Sequence, residues 1–302
     1  MTPFAPAIAL AFAEIMFPPS HAADTAQQAG DVDVVETRHD AFARMTVPVR
    51  IGEAGPFPFV IDTGAQNTVV STALAERLAL RPAGRATVVG VAGTQSVATV
   101  EIDEIGLGRR TFNGLIAPLL DQRDLGADGM IGLDSLQDQR VLIDFTTNLI
   151  AIDEARNLGG NRGFEIVVRA RRRSGQLILT HARLDGVAVD VVIDTGADST
   201  IGNRALQRAL AHKGAPLGAE LYSVTGQRLA AQVGLAERLS FDGVHLNNVA
   251  IAYADAPPFA VLGLDRKPAI LLGMRELRGF RRVAIDFKTR KVLFDLPEPP
   301  AG

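Results

Sequence analysis

Two aspartates occupy the same place in two copies of one sequence pattern. The first copy reads FVIDTGAQNTVV and contains Asp62, and the second reads VVIDTGADSTIG and contains Asp194. An apolar triplet that ends in an aspartate predicts a strand holding a carboxyl group at a fixed, partly desolvated point. The glycine that follows permits a sharp turn, and the threonine hydroxyl can fix the loop by a hydrogen bond. Each copy therefore predicts one aspartate carboxyl group held in a fixed position.

Two such acids, one from each copy, predict a particular chemistry. Two carboxyl groups at hydrogen-bonding distance cannot both ionise cheaply, so they share one proton. The ionised group can then act as a general base on a water molecule, while the protonated group donates to a substrate carbonyl oxygen. Neither a metal nor an organic cofactor is needed. The two pKa values belong to the pair, so the sequence does not assign base and acid to individual aspartates.

Further landmarks recur in the same order after each aspartate. Met130–Leu133 (MIGL) corresponds to Ile270–Met274 (ILLGM), and VLIDFTTNLIAI corresponds to VAIDFKTRKVLF. The second copy has about ten more residues than the first between its Asp-Thr-Gly motif and its later landmarks. A period this long indicates a duplicated domain and not a solenoid. We predict a first lobe at 41–153, a polar, glycine-rich linker at 154–163 and a second lobe at 164–297.

These motifs resemble the retropepsin-like aspartic peptidases, including their bacterial members. The resemblance covers roughly Thr46 to Leu296 and depends on two copies of apolar-apolar-Asp-Thr-Gly-Ala, each with a later apolar-apolar-Gly. It implies a peptide or protein substrate, an endopeptidase activity, and Asp62 and Asp194 as the catalytic pair. Retropepsin-like chains usually carry one such motif and form homodimers. Two motifs in one chain imply an internal pseudodimer, active as a monomer.

The resemblance also implies roles for the neighbours of the two aspartates. Thr63 and Thr195 would interlock beneath the pair, and Gly132 and Gly273 would support the loops. The following residues would shape those loops: Gly64, Ala65, Gly196 and Ala197. Substrate-binding residues would be Asp198, its counterpart Gln66, and the glycines Gly93 and Gly226 of two flap hairpins at 89–95 and 222–227. The first copy has Gln66 where the second copy has the acidic residue Asp198, so the two lobes are not expected to be equivalent. Ordinary hairpin turns remain the alternative for both flaps.

The secondary-structure pattern favours an all-β fold, with two tandem retropepsin-like barrel lobes. Short apolar or alternating runs broken by Gly, Pro and Asp-Gly predict strands throughout. Two short helices are predicted in equivalent places, at Ser71–Leu80 and at Asn203–His212, where Asn203 is the candidate N-cap. Asp144 and Asp286 lie in strands far from the two motifs and are expected to be structural.

Composition excludes several other classes. The 302 residues carry a formal net charge of −3, which argues against nucleic-acid binding. No cysteine is present, so disulfides and thiol chemistry are excluded. The five histidines lack zinc-peptidase spacing. The basic run Arg169–Arg173 is expected at a solvated hairpin tip, with an acidic substrate or partner as the alternative.

The N-terminal residues suggest export. Residues 1–22 have an apolar stretch and a small-residue site, so we predict a signal peptide, followed by a flexible segment at 23–40. The signal is atypical, because no basic residue precedes the apolar stretch and Glu14 interrupts it. We therefore expect a periplasmic or secreted protein, or a cytoplasmic one if this segment is not cleaved. No other stretch has the length of a membrane span.

Two alternatives remain open at this point. The chain could be a pseudoprotease that binds peptides without cutting them, although both Asp-Thr-Gly motifs are intact. The two repeats could also pair with their counterparts in a second chain, which would make an obligate dimer with intermolecular pairs of aspartates.

Overall fold

The computed structural model describes residues 34–36, 38–39, 44–108, 110–210 and 217–297. The predicted signal peptide at 1–22 lies outside these ranges. Within the predicted flexible segment at 23–40, the described stretches are short strands. No helix in the described ranges is long and apolar enough to cross a membrane.

The elements of the first half are short strands and three short helices, as the sequence pattern predicts. They are β1 (Val34–Glu36), β2 (Arg38–His39), β3 (Met45–Ile51), β4 (Ala54–Ile61), β5 (Val69–Ser71), α1 (Thr72–Arg77), β6 (Arg81–Gly90), β7 (Gly93–Leu107), β8 (Arg110–Leu120), α2 (Gln122–Leu125), β9 (Gly129–Ile131), α3 (Leu133–Leu136), β10 (Arg140–Asp144) and β11 (Leu149–Asp153).

The second half repeats this order with small changes. Its elements are β12 (Ile166–Arg169), β13 (Arg171–Arg173), β14 (Gln176–Leu184), β15 (Val187–Ile193), β16 (Thr200–Gly202), α4 (Arg204–Leu210), β17 (Leu217–Tyr222), β18 (Arg228–Phe241), β19 (Val244–Tyr253), α5 (Pro257–Val261), β20 (Ala269–Leu272), α6 (Met274–Leu277), β21 (Arg282–Asp286) and β22 (Lys291–Asp295).

Each half folds into an eight-stranded sheet of the same topology. The orders are β2-β3-β4-β9-β5-β8-β7-β6 and β13-β14-β15-β20-β16-β19-β18-β17. In both sheets the strand before the Asp-Thr-Gly motif pairs in parallel with the strand before the later glycine, β4 with β9 and β15 with β20. The all-β fold with two duplicated lobes is therefore confirmed.

A third sheet joins the lobes, in the order β1-β11-β10-β21-β22-β12. At its centre β10 of the first lobe pairs antiparallel with β21 of the second, and Arg140 lies opposite Asp286. Their side chains form a buried ion pair with Nη2 and Oδ2 2.8 Å apart. Asp144 instead accepts hydrogen bonds from the backbone N–H groups of the turn that follows it. Both aspartates thus have structural contacts.

The two predicted helices form, each one turn or two in length. Ser71 caps α1, because its side chain accepts a hydrogen bond from Leu74 N–H at 3.1 Å. Asn203 caps α4 in the same way through Leu206 N–H at 2.8 Å. The predicted ends were too late in the first helix, where Ala79 has a φ of 50° and cannot continue it.

The extra residues of the second copy lie mainly between β19 and β20. This connection spans 254–268 and contains α5, whereas the equivalent connection in the first lobe spans 121–128 and contains α2. The predicted linker at 154–163 forms turns that pack against the shared sheet, since Arg140 donates to Gly160 O and Asn161 Oδ1. The arginines of β13 are exposed and lead into the Ser174–Gly175 turn.

Candidate active site

The two motif aspartates lie at the ends of equivalent strands. Asp62 follows β4 and donates its N–H to Ile131 O at 3.0 Å, and Asp194 follows β15 and donates to Leu272 O at 3.0 Å. Asp62 is fully buried and Asp194 is 3% exposed. The parallel partner strand thus fixes the backbone of each aspartate below the surface.

The loops after these aspartates contact each other across the lobe boundary. A Cβ atom at Gly64 would lie 2.6 Å from Asp194 Oδ1, so only glycine fits there. Gly64 N–H donates to Asp62 Oδ1 at 2.7 Å. Gly196 and Ala197 donate to Asp194 Oδ1 at 3.1 and 3.2 Å. The fold therefore brings together the two carboxyl groups that the sequence separates by more than a hundred residues.

The electrostatic environment keeps this pair from ionising fully. Burial and then the charge of Asp194 raise the pKa of Asp62 well above its ordinary value. Burial likewise raises the pKa of Asp194 to about 6, against the lowering effect of the Gly196 and Ala197 N–H groups and of the Asp62 carboxyl. Asp62 Oδ2 is buried and accepts no hydrogen bond from the described residues. A pair that holds one proton near neutral pH is the expected result.

The threonines of the two motifs interlock beneath the aspartates. Thr63 N–H donates to Thr195 Oγ1 at 3.0 Å, and Thr195 N–H donates to Thr63 Oγ1 at 3.1 Å. Each hydroxyl also donates to a carbonyl of the opposite strand, Thr63 to Ile193 O at 3.0 Å and Thr195 to Ile61 O at 2.8 Å. This reciprocal arrangement fixes the distance between the two lobes at the aspartates.

The later glycines support the loops from behind. A Cβ atom at Gly132 would lie 2.5 Å from the backbone of Asn67, and one at Gly273 would lie 2.7 Å from the backbone of Ser199. The N–H of Gly132 donates to Thr68 Oγ1 at 3.2 Å, and that of Gly273 donates to Thr200 Oγ1 at 3.1 Å. Close backbone packing explains why both positions are glycine.

Two acids that the sequence analysis did not single out complete this support, the exposed residue Asp134 and the buried residue Glu276. Thr68 Oγ1 donates to Asp134 Oδ1 at 2.7 Å, and Thr200 Oγ1 donates to Glu276. Desolvation of the carboxyl group raises the pKa of both acids. The sequence could have indicated both acids, since Asp134 follows Gly132 by two residues and Glu276 follows Gly273 by three.

The two residues after the motif alanines already have partners within the chain. Gln66 Nε2 donates to Ser174 O of the second lobe at 3.2 Å. Asp198 forms ion pairs with Arg278 at 3.2 Å and with Arg275 at 3.9 Å. The non-equivalence expected from the sequence is therefore visible in their partners, while substrate binding by either residue remains a prediction.

The two hairpins at 89–95 and 222–227 pack against each other, and the tip of each inserts into the opposite lobe. Val91 of the first lobe, 1% exposed, packs in an apolar cluster made otherwise of second-lobe residues around Phe259. Val224 of the second lobe, 1% exposed, packs in a first-lobe cluster around Leu125. Gly93 lies against the Gln227 side chain and Gly226 against Asp124. Each hairpin tip is thus buried against the opposite lobe.

A cavity beside the hairpin tips is open to the surface. It has a volume of about 450 Å³ and lies between the first hairpin, α2 and the tip of the second hairpin. Val224 and Thr225 line it, whereas Asp62 and Asp194 do not. In the described ranges, no group of three or more His, Asp or Glu side chains could hold a metal ion.

Comparison with known proteins agrees with this geometry. The family model described as aspartyl protease matches the chain twice, at residues 47–135 and 180–275. Each match contains one Asp-Thr-Gly motif and its later glycine, so the two matches follow the duplication seen in the fold. No curated protein matches the chain. The two matched regions span more than half of its length, and the chain therefore belongs to the aspartyl protease family.

Proposed function

We propose that the protein is an aspartic endopeptidase in which Asp62 and Asp194 form one catalytic dyad. The observation that carries the proposal is the juxtaposition of two buried carboxyl groups, one from each lobe, both with a raised pKa. A water molecule held between them would be deprotonated by the ionised carboxylate. The protonated partner would donate to the carbonyl oxygen of the scissile peptide bond.

The proposed reaction then proceeds through a tetrahedral intermediate. As the water attacks the carbonyl carbon, its proton moves to the carboxylate and negative charge develops on the former carbonyl oxygen. A proton then passes from the dyad to the leaving nitrogen, and the C–N bond breaks. The threonine contacts between the lobes hold the two carboxyl groups at a fixed separation, which is what such positioning catalysis requires.

Substrate entry is proposed to require the two hairpins to separate, because Val91 and Val224 bury each hairpin tip in the opposite lobe. Movements of such loops set the turnover of many enzymes. Closure over a bound peptide would exclude water other than the attacking molecule. Asp198, Gln66, Gly93 and Gly226 are proposed to contact the substrate in that closed complex.

The test is cleavage of a peptide library between about pH 3 and 8 by the wild type, Asp62→Asn and Asp194→Asn. We expect each single substitution to lower kcat/KM by on the order of 10²–10⁴-fold. The matched control is Asp103→Asn, an exposed aspartate. Two variants that each keep about half the activity would mean separate sites and would refute the dyad.

The binding-module alternative is addressed by the same samples. If the folded wild type cuts nothing at any pH yet binds a statine-type inhibitor, the chain is a peptide-binding pseudoprotease. For the dimer alternative, mass measurement in solution decides. The cross-lobe contacts of Thr63 and Thr195 within one chain support a monomer.

Export to the periplasm or the medium is also proposed, from the features of residues 1–22. N-terminal sequencing of the protein recovered from its native host would test it. A mature chain beginning near Ala23 outside the cytoplasm is the expected result, and an intact N-terminus in the cytoplasmic fraction would refute it.

A further inference from the structure

The residues that face the two dyad aspartates across the sheet differ in charge. In the first lobe β3 pairs with β4, with Thr46 opposite Val60. Continuing this register by two residues sets Arg44 opposite Asp62. In the second lobe Ile178 lies opposite Val192, and the same continuation sets Gln176 opposite Asp194. Side chains opposite each other in an antiparallel pair lie on one face, about 5 Å apart at Cβ.

Arg44 and Gln176 are therefore equivalent positions of the repeat, and both are buried. Arg44 is 2% exposed and its Nη2 donates to Leu125 O. Gln176 is 1% exposed, its Nε2 donates to Gly64 O at 2.5 Å, and its Oε1 has no hydrogen-bond partner in the described ranges. Gln176 thus contacts the loop that follows Asp62, whereas Arg44 contacts the end of α2, and only Arg44 is charged.

A guanidinium group remains protonated at every pH at which the protein is folded. Burying such a charge is costly unless negative charge lies nearby. The dyad carries one negative charge in its active form. Gln176, at the equivalent position of the other lobe, is a neutral amide, and its burial does not require a negative charge nearby.

We propose that Arg44 is a positioning residue that supplies a fixed positive charge on the Asp62 side of the dyad. Asp62 and Asp194 are equivalent in the repeat, but the charge of Arg44 gives them different electrostatic environments. It also keeps the pair singly ionised at a lower pH than two glutamines would allow. This inference rests on the proposed peptidase function for its consequence in catalysis, but the electrostatic effect itself does not require turnover.

The charged groups around the dyad are consistent with this role. Burial and then the charge of Asp194 raise the pKa of Asp62, and the charge of Arg44, which directly precedes β3, lowers it to a smaller extent. Asp194 is influenced by Asp62, and no cation acts on it among the described residues. The cation that acts on Asp62 therefore has no counterpart at the equivalent position of the second lobe, where Gln176 is neutral.

The sequence offers an internal design for the test, because each lobe supplies the replacement for the other. Arg44→Gln gives both lobes a neutral amide, and Gln176→Arg gives both a cation. The double variant moves the cation from one lobe to the other. Arg44→Lys keeps the charge but loses the forked donor. As a control, Arg50→Gln removes an exposed arginine of β3, the strand that follows Arg44.

The measurement is kcat/KM for a cleaved peptide between about pH 3 and 8. We expect Arg44→Gln to move the acidic limb of the profile to higher pH, with on the order of a tenfold loss on the acidic side and little loss on the plateau. Arg44→Lys should retain the wild-type limb. Gln176→Arg should move it to lower pH, and the double variant should restore it.

Two outcomes would overturn the proposal. An equal loss at every pH in both Arg44→Gln and Arg44→Lys would mean that Arg44 acts only through its hydrogen bond to Leu125. An unchanged acidic limb in Arg44→Gln would mean that its charge does not reach the dyad.

A second readout is independent of turnover. Carbon-13 NMR of the aspartate carboxyl groups follows the dyad titration directly, in the wild type and in the four variants at Arg44 and Gln176. A titration that moves upward in Arg44→Gln supports the inference, and one that does not move overturns it, whether or not the protein cuts peptides. Loss of cleavage by the wild type alone would refute the proposed function and leave this result standing.

Discussion

Replacing Thr195 by valine removes one hydroxyl from the contact between the lobes and keeps the side-chain volume. The hydroxyl accepts from Thr63 N–H at 3.0 Å and donates to Ile61 O at 2.8 Å. Both partners are buried, so the variant leaves polar groups unpaired. Each buried group without its partner costs about 1–3 kcal/mol, so the free energy of unfolding should fall by about 2–6 kcal/mol for the two groups.

The measurement is urea unfolding of the full chain at a pH where it is stable. Thr111→Val is the matched control, because Thr111 is exposed on β8, and its effect should stay within about 0.5 kcal/mol. Thr63→Val should resemble Thr195→Val, since the two threonines have reciprocal bonds. In the double variant the loss should be smaller than the sum of the single losses, because the pair shares its hydrogen bonds.

Two results would refute this reasoning. A loss below about 1 kcal/mol for Thr195→Val would mean that the interlobe hydrogen bonds are replaced without cost. Strict additivity in the double variant would mean that the two hydroxyl groups act independently, against the reciprocal geometry.

Two further predictions concern charges buried in the fold. Asp286→Asn leaves the Arg140 guanidinium without its carboxylate and should lower the free energy of unfolding by about 3–5 kcal/mol. Asp144→Asn, the repeat equivalent, only weakens a turn and should cost less, so equal losses in urea unfolding would contradict the assignment. Burial raises the pKa of Asp194 to about 6, so this carboxyl stabilises the fold most below its unfolded pKa and the contribution is lost as the pH rises through about 6. Asp194→Asn should therefore raise the melting temperature at neutral pH and change it little near pH 4, and an equal change at both would be inconsistent with the raised pKa.

Local pattern was enough to predict the duplicated all-β fold and the two acids. Alternating apolar residues define strands because the side-chain period of a strand is two residues. The caps Ser71 and Asn203 act on N–H groups three residues later, so the helix starts could be predicted while the ends could not. The threonine interlock followed from resemblance, since no local rule pairs Thr63 with Thr195.

Tertiary structure alone decided which distant residues meet. The shared six-stranded sheet depends on pairing between β10 and β21, which lie in different lobes. The exchange of Val91 and Val224 depends on apolar pockets that exist only once both lobes have folded. The relation between Arg44 and Asp62 could not be predicted from the sequence either, because it follows from the register in which β3 and β4 pair. The sequence by itself determined the chemistry of each loop, and the fold decided their separation and electrostatics, because these depend on contacts between segments far apart in the chain.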